Sequence, residues 1–296
     1  MSWKDDIEQT FTTWSKRSSL NEEQKCENAL RMIKDAVNSN SSLSNLDIDF
    51  LPQGSYYNNT NVRHNSDVDL CVRLKSTFFY ELPEGTTIER YGITPSTYTF
   101  AQYQSAIGDA LRTKFGCENV TKGNKAFDVH SNSYRVDADV VACFEHRRYL
   151  ENGDYIVGTQ FYSGDGFEII NFPEQHYING VTKNTSTGRR YKRVVRILKR
   201  LRKQMESDEV EGIDNISSFL TECLVWNVPN VYFGNSTYSE DTKNVLQYLY
   251  HNTNDSSLCK EWGEVSDLLY LFHGGRNYTL KEVNSFILKA YNHVYS

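Results

Sequence analysis

Two carboxylates spaced two residues apart, with a Gly-Ser pair just upstream, are the residues of this 296-residue sequence best suited to chemistry. Gly54-Ser55 is followed twelve residues later by Asp67-Val68-Asp69. A tight turn at Gly54-Ser55 offers a hydroxyl and backbone N–H groups to a phosphate. In a strand, side chains at i and i+2 point the same way, roughly 6–7 Å apart. Asp67 and Asp69 can therefore serve one pair of cations while Val68 and Leu70 pack into the opposite layer. Two Mg²⁺ ions about 3.5–4 Å apart need such bridging carboxylates, because Mg²⁺ prefers hard oxygen ligands and keeps several waters. Either motif alone is common in solvated turns and strands. The order strand, Gly-Ser, short polar helix, Asp-x-Asp strand is much more specific, and it suits a metal-bound nucleoside triphosphate.

A third carboxylate comes from Ser133–Phe144, SYRVDADVVACF, which has a Val-rich strand pattern. Asp137 and Asp139 share one face of it. Two unpaired carboxylates on an interior strand face are costly to desolvate. Either that face is wet, as on an edge strand, or a cation compensates it. Asp67 and Asp69 favour the cation.

Opposite charge is concentrated elsewhere. Between Arg189 and Lys203, nine of fifteen residues are Lys or Arg, with no acid among them. Val194, Ile197, Leu198 and Leu201 give this segment a helical apolar stripe, and cations cover the rest. Most charge runs are solvated faces. Nine like charges along one helix repel one another, however. A triphosphate would offset that repulsion, as would a nucleic-acid backbone; confinement to one short helix favours the triphosphate.

The elements that must position these groups fall into two halves. Residues 3 to about 37 are expected to be helical, with Trp3, Ile7, Phe11 and Trp14 as an apolar stripe. A strand over 46–52 leads into Gly54-Ser55, a short helix over 56–63 follows, and the Asp-x-Asp strand covers 67–74. An irregular Pro- and Gly-containing excursion spans about 80–96. A helix covers about 97–115, and strands cover 126–129, 134–144 and 156–162. Beyond Pro173 the pattern turns helical, at about 188–207, 216–227, 239–252 and 279–293. The fold class is α+β: a mixed sheet flanked by helices, then a helical lobe, with the active site in the cleft between them. The expected division is 1–168 and 169–296, with the N-terminal helix packing across both lobes.

A chain of this length can bury a substantial core. Its 39% apolar and 24% charged content is ordinary for a soluble globular protein. The net charge of −6 argues against coating nucleic acid through the overall field. Six scattered cysteines form neither a zinc-ligand spacing nor a disulfide framework. Cys71, Cys143 and Cys223 sit in apolar runs and are expected to be small core residues. No secretory leader or run of roughly 20 apolar residues is apparent, so cytoplasm is the expected address and no membrane partner is expected.

Together these motifs resemble the bacterial CD-NTases, the cGAS/DncV-like nucleotidyltransferases of CBASS anti-phage systems, within the polymerase-β-type superfamily. The stretches that carry the resemblance are QGSYYNNTNVRHNSDVDL, YRVDADVVACFEHRRY, GFEIINFPEQHYINGVTKN with GRRYKRVVRILKRLR, and ISSFLTECLVWNVPN. They run from Gln53 to about residue 230 in the family's order. The resemblance implies that Asp67, Asp69 and Asp139 are catalytic and hold two Mg²⁺, with Mn²⁺ as a substitute and Asp137 in reserve for Asp139. Ala142 stands where the family often has proline. The resemblance also implies nucleotide binding at Gln53, Gly54 and Ser55, phosphate contacts from Lys199 and Ser218, and stacking on a base by Phe219. Phe219 equally suits the core.

The implied substrates are NTPs, ATP first, with GTP or UTP as alternatives. The implied reaction is template-independent transfer that closes a cyclic di- or trinucleotide messenger in anti-phage defence. Family members are often controlled by operon partners. The sequence lacks the His/Cys insertion of the DNA-sensing animal enzymes, so no DNA activator is expected. Two alternatives stay open: a related nucleotidyltransferase acting on a separate protein, antibiotic or oligoadenylate acceptor, and an inactive nucleotide-binding scaffold.

Overall fold

The structure is a computed structural model that describes residues 6–17, 20–62 and 67–296, with the backbone alone for 20–22. In chain order the elements are α1 (Ile7–Trp14), α2 (Leu20–Asn38), β1 (Ile48–Gln53), α3 (Gly54–Tyr57), β2 (Val68–Glu81), α4 (Phe100–Phe115), β3 (Val120–Lys122), β4 (Phe127–Val129) and β5 (Ala138–Tyr149). There follow β6 (Tyr155–Tyr162), β7 (Glu168–Asn171), α5 (Pro173–Ser186), α6 (Tyr191–Ser207), α7 (Ser218–Trp226), α8 (Tyr238–Thr253), α9 (Ser256–Cys259) and α10 (Leu280–Tyr295).

The chain divides into a sheet unit, residues 19–57 and 63–173, and a helical unit, residues 1–18, 58–62 and 174–296. The second part of the chain is helical, as the sequence suggests. A linear cut at 168/169 nevertheless misses two segments: α1 and residues 58–62 belong with the helical unit. The long N-terminal helix expected from the periodicity is two helices, one in each unit. Trp3 and Arg63 lie outside the described residues.

In the sheet unit, seven strands run in the order β1-β2-β5-β4-β3, with β6 pairing β5 and β7 pairing β6. Only β2 and β5 are parallel; the other pairs are antiparallel. The crossover that parallel pairing demands is α4 with the β3–β4 hairpin. Helix α4 starts at a capping box, in which Thr99 accepts the Gln102 N–H and Gln102 reaches back to the Thr99 N–H. Alternation then builds the core. Val68, Leu70, Val72 and Leu74 of β2, with Ala138, Val140, Ala142 and Phe144 of β5, pack with Ile33, Tyr103, Ile107 and Leu111. The residues between them face the other way, and these include Asp69 and Asp139.

Several elements depart from the expectation. Strand β2 continues to Glu81 through a register shift between Leu74 and Phe78, because Phe78, Phe79 and Tyr80 pair with the second half of β5. Strand β5 begins four residues later than expected. Asn132 accepts the N–H groups of Tyr134 and Arg135, tying that segment into a turn. The expected helix over 56–63 is the single turn α3. Cys71 and Cys143 are buried, as expected, but they are joined by a disulfide. The two lie on the same face of adjacent strands, where parallel register makes them diagonal neighbours; a separation of 72 residues could not reveal this.

The helical unit is centred on α6, which packs against α1, α7, α8 and α10. Its stripe of Val194, Ile197, Leu198 and Leu201 is wholly buried, with Phe11, Leu220, Leu224, Leu246 and Phe286 around it.

Candidate active site

The turn at Gly54 and the acid-bearing strands meet in the sheet unit. Gln53, at the end of β1, pairs with Asp69 on β2. Asp69 is in register with Asp139 on β5. Asp139 is in register with Asp128 on β4. One level of the sheet thus carries Gln53, Asp69, Asp139 and Asp128 across four adjacent strands. Gly54 completes the arrangement. Its φ is +68°, and a Cβ there would lie 1.8 Å from Asp69 Oδ2. Only glycine leaves room for that carboxylate beside the turn. Ser55 follows in α3 and is half-buried. Asp67, also half-buried, stands just before β2.

These like charges raise one another's cost. Burial first, and then Asp128, Asp67 and Asp137, together push the Asp139 carboxyl up from 3.8 to about 6. Asp128, which the sequence pattern did not single out, also hydrogen-bonds Asp139. Asp137 is committed elsewhere. It precedes β5, and its Oδ1 accepts the Ser131 N–H at 2.6 Å. Of the two candidates on this segment, Asp139 is the one in register with Asp69.

Among the described residues no three His, Cys, Asp or Glu side chains converge tightly enough to hold an ion. The acid row is a set of hard oxygen donors, and Asp128 and Asp67 press on the Asp139 carboxylate. That chemistry suits Mg²⁺, which accepts few protein ligands and keeps its waters. The cradle at Gly54, which a Cβ would fill, places the Gly54-Ser55 turn directly against Asp69.

The residues assigned to the helical unit form a different kind of group. Lys199 is buried, and its Nζ donates to Glu222 Oε2 at 2.6 Å and to Thr60 Oγ1 at 3.0 Å. Thr60 donates to the same Glu222 oxygen at 2.6 Å. His176 Nε2 lies 3.2 Å from the other Glu222 oxygen. Burial pushes the Glu222 carboxyl up, but Lys199 and His176 outweigh it and hold the group well below the usual carboxylate range. Lys199 is therefore already neutralised. Glu222 was legible only as a lone acid in the apolar run SFLTECLVW. His176 and Thr60 gave no signal.

Ser217 caps α7 by accepting the Leu220 N–H, and Ser218 occupies the first turn, half-buried. Phe219 is 44% exposed, so it is not a core residue. Its ring centroid lies 6.0 Å from that of His176. Contrary to the expectation of a cationic outer face, α6 also buries Lys192, Arg196 and Lys199. No helix among the described residues is long and apolar enough to cross a membrane.

A mixed sheet that carries acids beside a Gly-Ser turn, with a helical unit alongside it in the chain, defines the class as a nucleotidyltransferase. Residues 178–295 match the family model for the cGAS/DncV-like nucleotidyltransferase C-terminal helical domain. The cyclic dipyrimidine nucleotide synthase CdnE of Cecembia lonarensis is 46% identical over 288 residues, covering 97% of this chain and 98% of that protein. The protein of the same name from Legionella pneumophila is 45% identical over 293 residues, covering 98% of each. The solved structure of the Elizabethkingia meningoseptica CdnE cyclic dinucleotide synthase with GTP and Apcpp superposes with a TM-score of 0.82 at 34% identity, over 98% of this chain and 99% of that one. The chain belongs to the bacterial CD-NTase family.

Proposed function

We propose that this nucleotidyltransferase is a Mg²⁺-dependent, template-independent synthase that joins NTPs into a cyclic dinucleotide messenger for anti-phage defence. The observation that supports the proposal is the close approach of Asp69 to the Gly54 turn, which suits a carboxylate that holds a metal beside a bound triphosphate. Asp67, Asp69 and Asp139 would hold the metal. When bound, Mg²⁺ would lower the pKa of an acceptor ribose hydroxyl and neutralise charge on the departing pyrophosphate.

The chain's own groups do the rest. Ser55 and the N–H groups of its turn bind the terminal phosphates. Asp139, with its carboxyl at about 6, takes the proton of the attacking hydroxyl near neutral pH. Phe219 offers an exposed ring for stacking on a base. Ser218 stands beside it in the first turn of α7. Lys199 contacts donor phosphates through the ammonium hydrogen that Glu222 and Thr60 do not use. Each bond formed to an α-phosphate releases one pyrophosphate, and a second such step closes the ring.

For base choice, the two relatives at 45–46% identity support a pyrimidine product, which makes UTP the first substrate to test. Mass spectrometry of phosphatase-resistant products from all four NTPs tests both levels. A cyclic product with pyrophosphate release is expected. Absence of any NTP-only product would favour a separate acceptor, and absence of Mg²⁺-dependent pyrophosphate release would exclude an enzyme altogether.

A further inference from the structure

A cavity of about 510 Å³ opens in the helical unit between the end of α1, the end of α5 and the start of α6. Six cations line it: Lys16, Arg17, Arg189, Lys192, Arg193 and Arg196. The other lining residues are three hydroxyl side chains and one amide, with no carboxylate. None of the residues assigned above to nucleotide transfer lines it. Its size falls within the roughly 300–1,000 Å³ of small-molecule sites.

Part of this charge has a structural use. Arg196 donates to the carbonyls of Ser15 and Asn59, and Arg200, further along α6, donates to the Thr13 carbonyl. These arginines therefore cap the carbonyl end of α1. Arg193 donates to the Tyr238 hydroxyl at 2.8 Å. Structure does not account for the remainder. Lys192 and Arg193 stand in the first turn of α6, where the helix dipole disfavours positive charge and no acid is present. Arg189 holds a left-handed backbone, φ +65°, which a non-glycine residue adopts at a cost. Lys192 is buried, and its ammonium lies over the Tyr177 ring at 5.6 Å.

Acids on α1 and α8 are engaged elsewhere. Glu8 accepts the N–H groups of Tyr238 and Ser239, and Asp241 pairs with Arg190 and Asn235. Burial pushes Lys192 down to about 8; Glu222 opposes this, while Arg17 and Arg196 add to it. Burial pushes Arg196 down to about 10, and Arg17, Arg200 and Arg193 press the same way. The cations thus destabilise one another until an anion arrives.

We propose that this cavity binds a small molecule carrying linked phosphates, the chemistry shared by inorganic polyphosphate and the triphosphate tail of a nucleotide. Several cations around one concave site fit an anion with several charged oxygens at short spacing.

Titration calorimetry with tripolyphosphate in EDTA, on the full chain carrying Asp69→Asn, is the test. Saturable one-to-one binding is expected. It should weaken about tenfold or more in Arg193→Ala, and likewise in Lys16→Ala/Arg17→Ala, whose residues sit at the exposed end of α1 and are not needed for packing. A non-hydrolysable NTP analogue separates the sources. Much tighter binding than tripolyphosphate assigns the site to nucleotides, and equal binding assigns it to the polyphosphate alone. No binding, or binding that neither variant weakens, overturns the proposal. So does equal binding of a short RNA with a 5′ hydroxyl that shows the same dependence on the variants.

Discussion

The sheet unit and the helical unit both bury charge, and they treat it in opposite ways. In the sheet unit, Asp69, Asp139 and Asp128 stand in register on adjacent strands, and burial together with the Asp128 and Asp67 charges raises the Asp139 carboxyl. In the helical unit, Lys199, Glu222, Thr60 and His176 form a closed network in which the buried acid has a buried cation on one oxygen and a histidine on the other. The first group gathers like charges, and on the proposed function it is the group a cation would join. The second satisfies its buried acid from within the fold. Like charges gathered on one level of a sheet are the better sign of a cation site, because a bound cation relieves their repulsion.

The largest expected effect follows from the first group. Asp69→Asn should lower turnover by more than the roughly 10–100-fold typical of losing an outer partner of a metal site, while a cooperative thermal transition is kept. Gly54→Ala should be as damaging, since its Cβ would take the place of Asp69 Oδ2 and φ +68° strains any other residue. Full pyrophosphate release from either variant would remove the acid row from catalysis.

Lys199→Ala tests the second group. It strands the Glu222 carboxylate in a buried site, and breaking a buried pair costs about 3–5 kcal/mol. The melting temperature should fall sharply. Replacing both partners, as Lys199→Met/Glu222→Leu, should recover most of that stability. If Lys199 also contacts donor phosphates, activity will not return with it. If activity does return, the pair is structural only, and the contrast between the units becomes complete.

How much of this was legible depended on whether the cause was local. The period of two makes Asp67 and Asp69 readable as a pair, and the Val-rich strand makes Asp137 and Asp139 readable as candidates, between which only the family resemblance chooses Asp139. Gly54 was readable as a turn residue, but the reason it must be glycine is a carboxylate fifteen positions later. Asp128 was hidden because a three-residue strand carries no periodicity. Lys199 stands out by type and position among nine cations, yet sequence cannot show that Glu222, twenty-three residues on, pairs with it. The Cys71–Cys143 bridge was missed for the same reason: its cause is the parallel register of β2 and β5.

A pH series sharpens the sheet side. The Asp139 carboxyl titrates at about 6 in the folded chain, above the 3.8 of an ordinary aspartate. Its contribution to folding is therefore full below about pH 4 and is lost as pH rises through 6. A cation needs the deprotonated form, so the rise in melting temperature on adding Mg²⁺ should be small at pH 5 and larger at pH 7. An equal rise at both would mean that Asp139 is not among the ligands.

The smallest effect separates the metal-binding acids from their neighbour. Asp128 hydrogen-bonds Asp139 and adds negative charge beside it, and both influences raise the Asp139 carboxyl. In Asp128→Asn the charge disappears while the shape is kept. The Asp139 carboxyl should then titrate lower, and the acid limb of the rate profile should move to lower pH, with activity at pH 8 changed only a few-fold. That outcome makes Asp128 a positioning residue that tunes its neighbour. A loss at pH 8 as deep as that of Asp69→Asn would instead make it a fourth ligand, and the acid row would extend one strand further than the Asp-x-Asp motif implies.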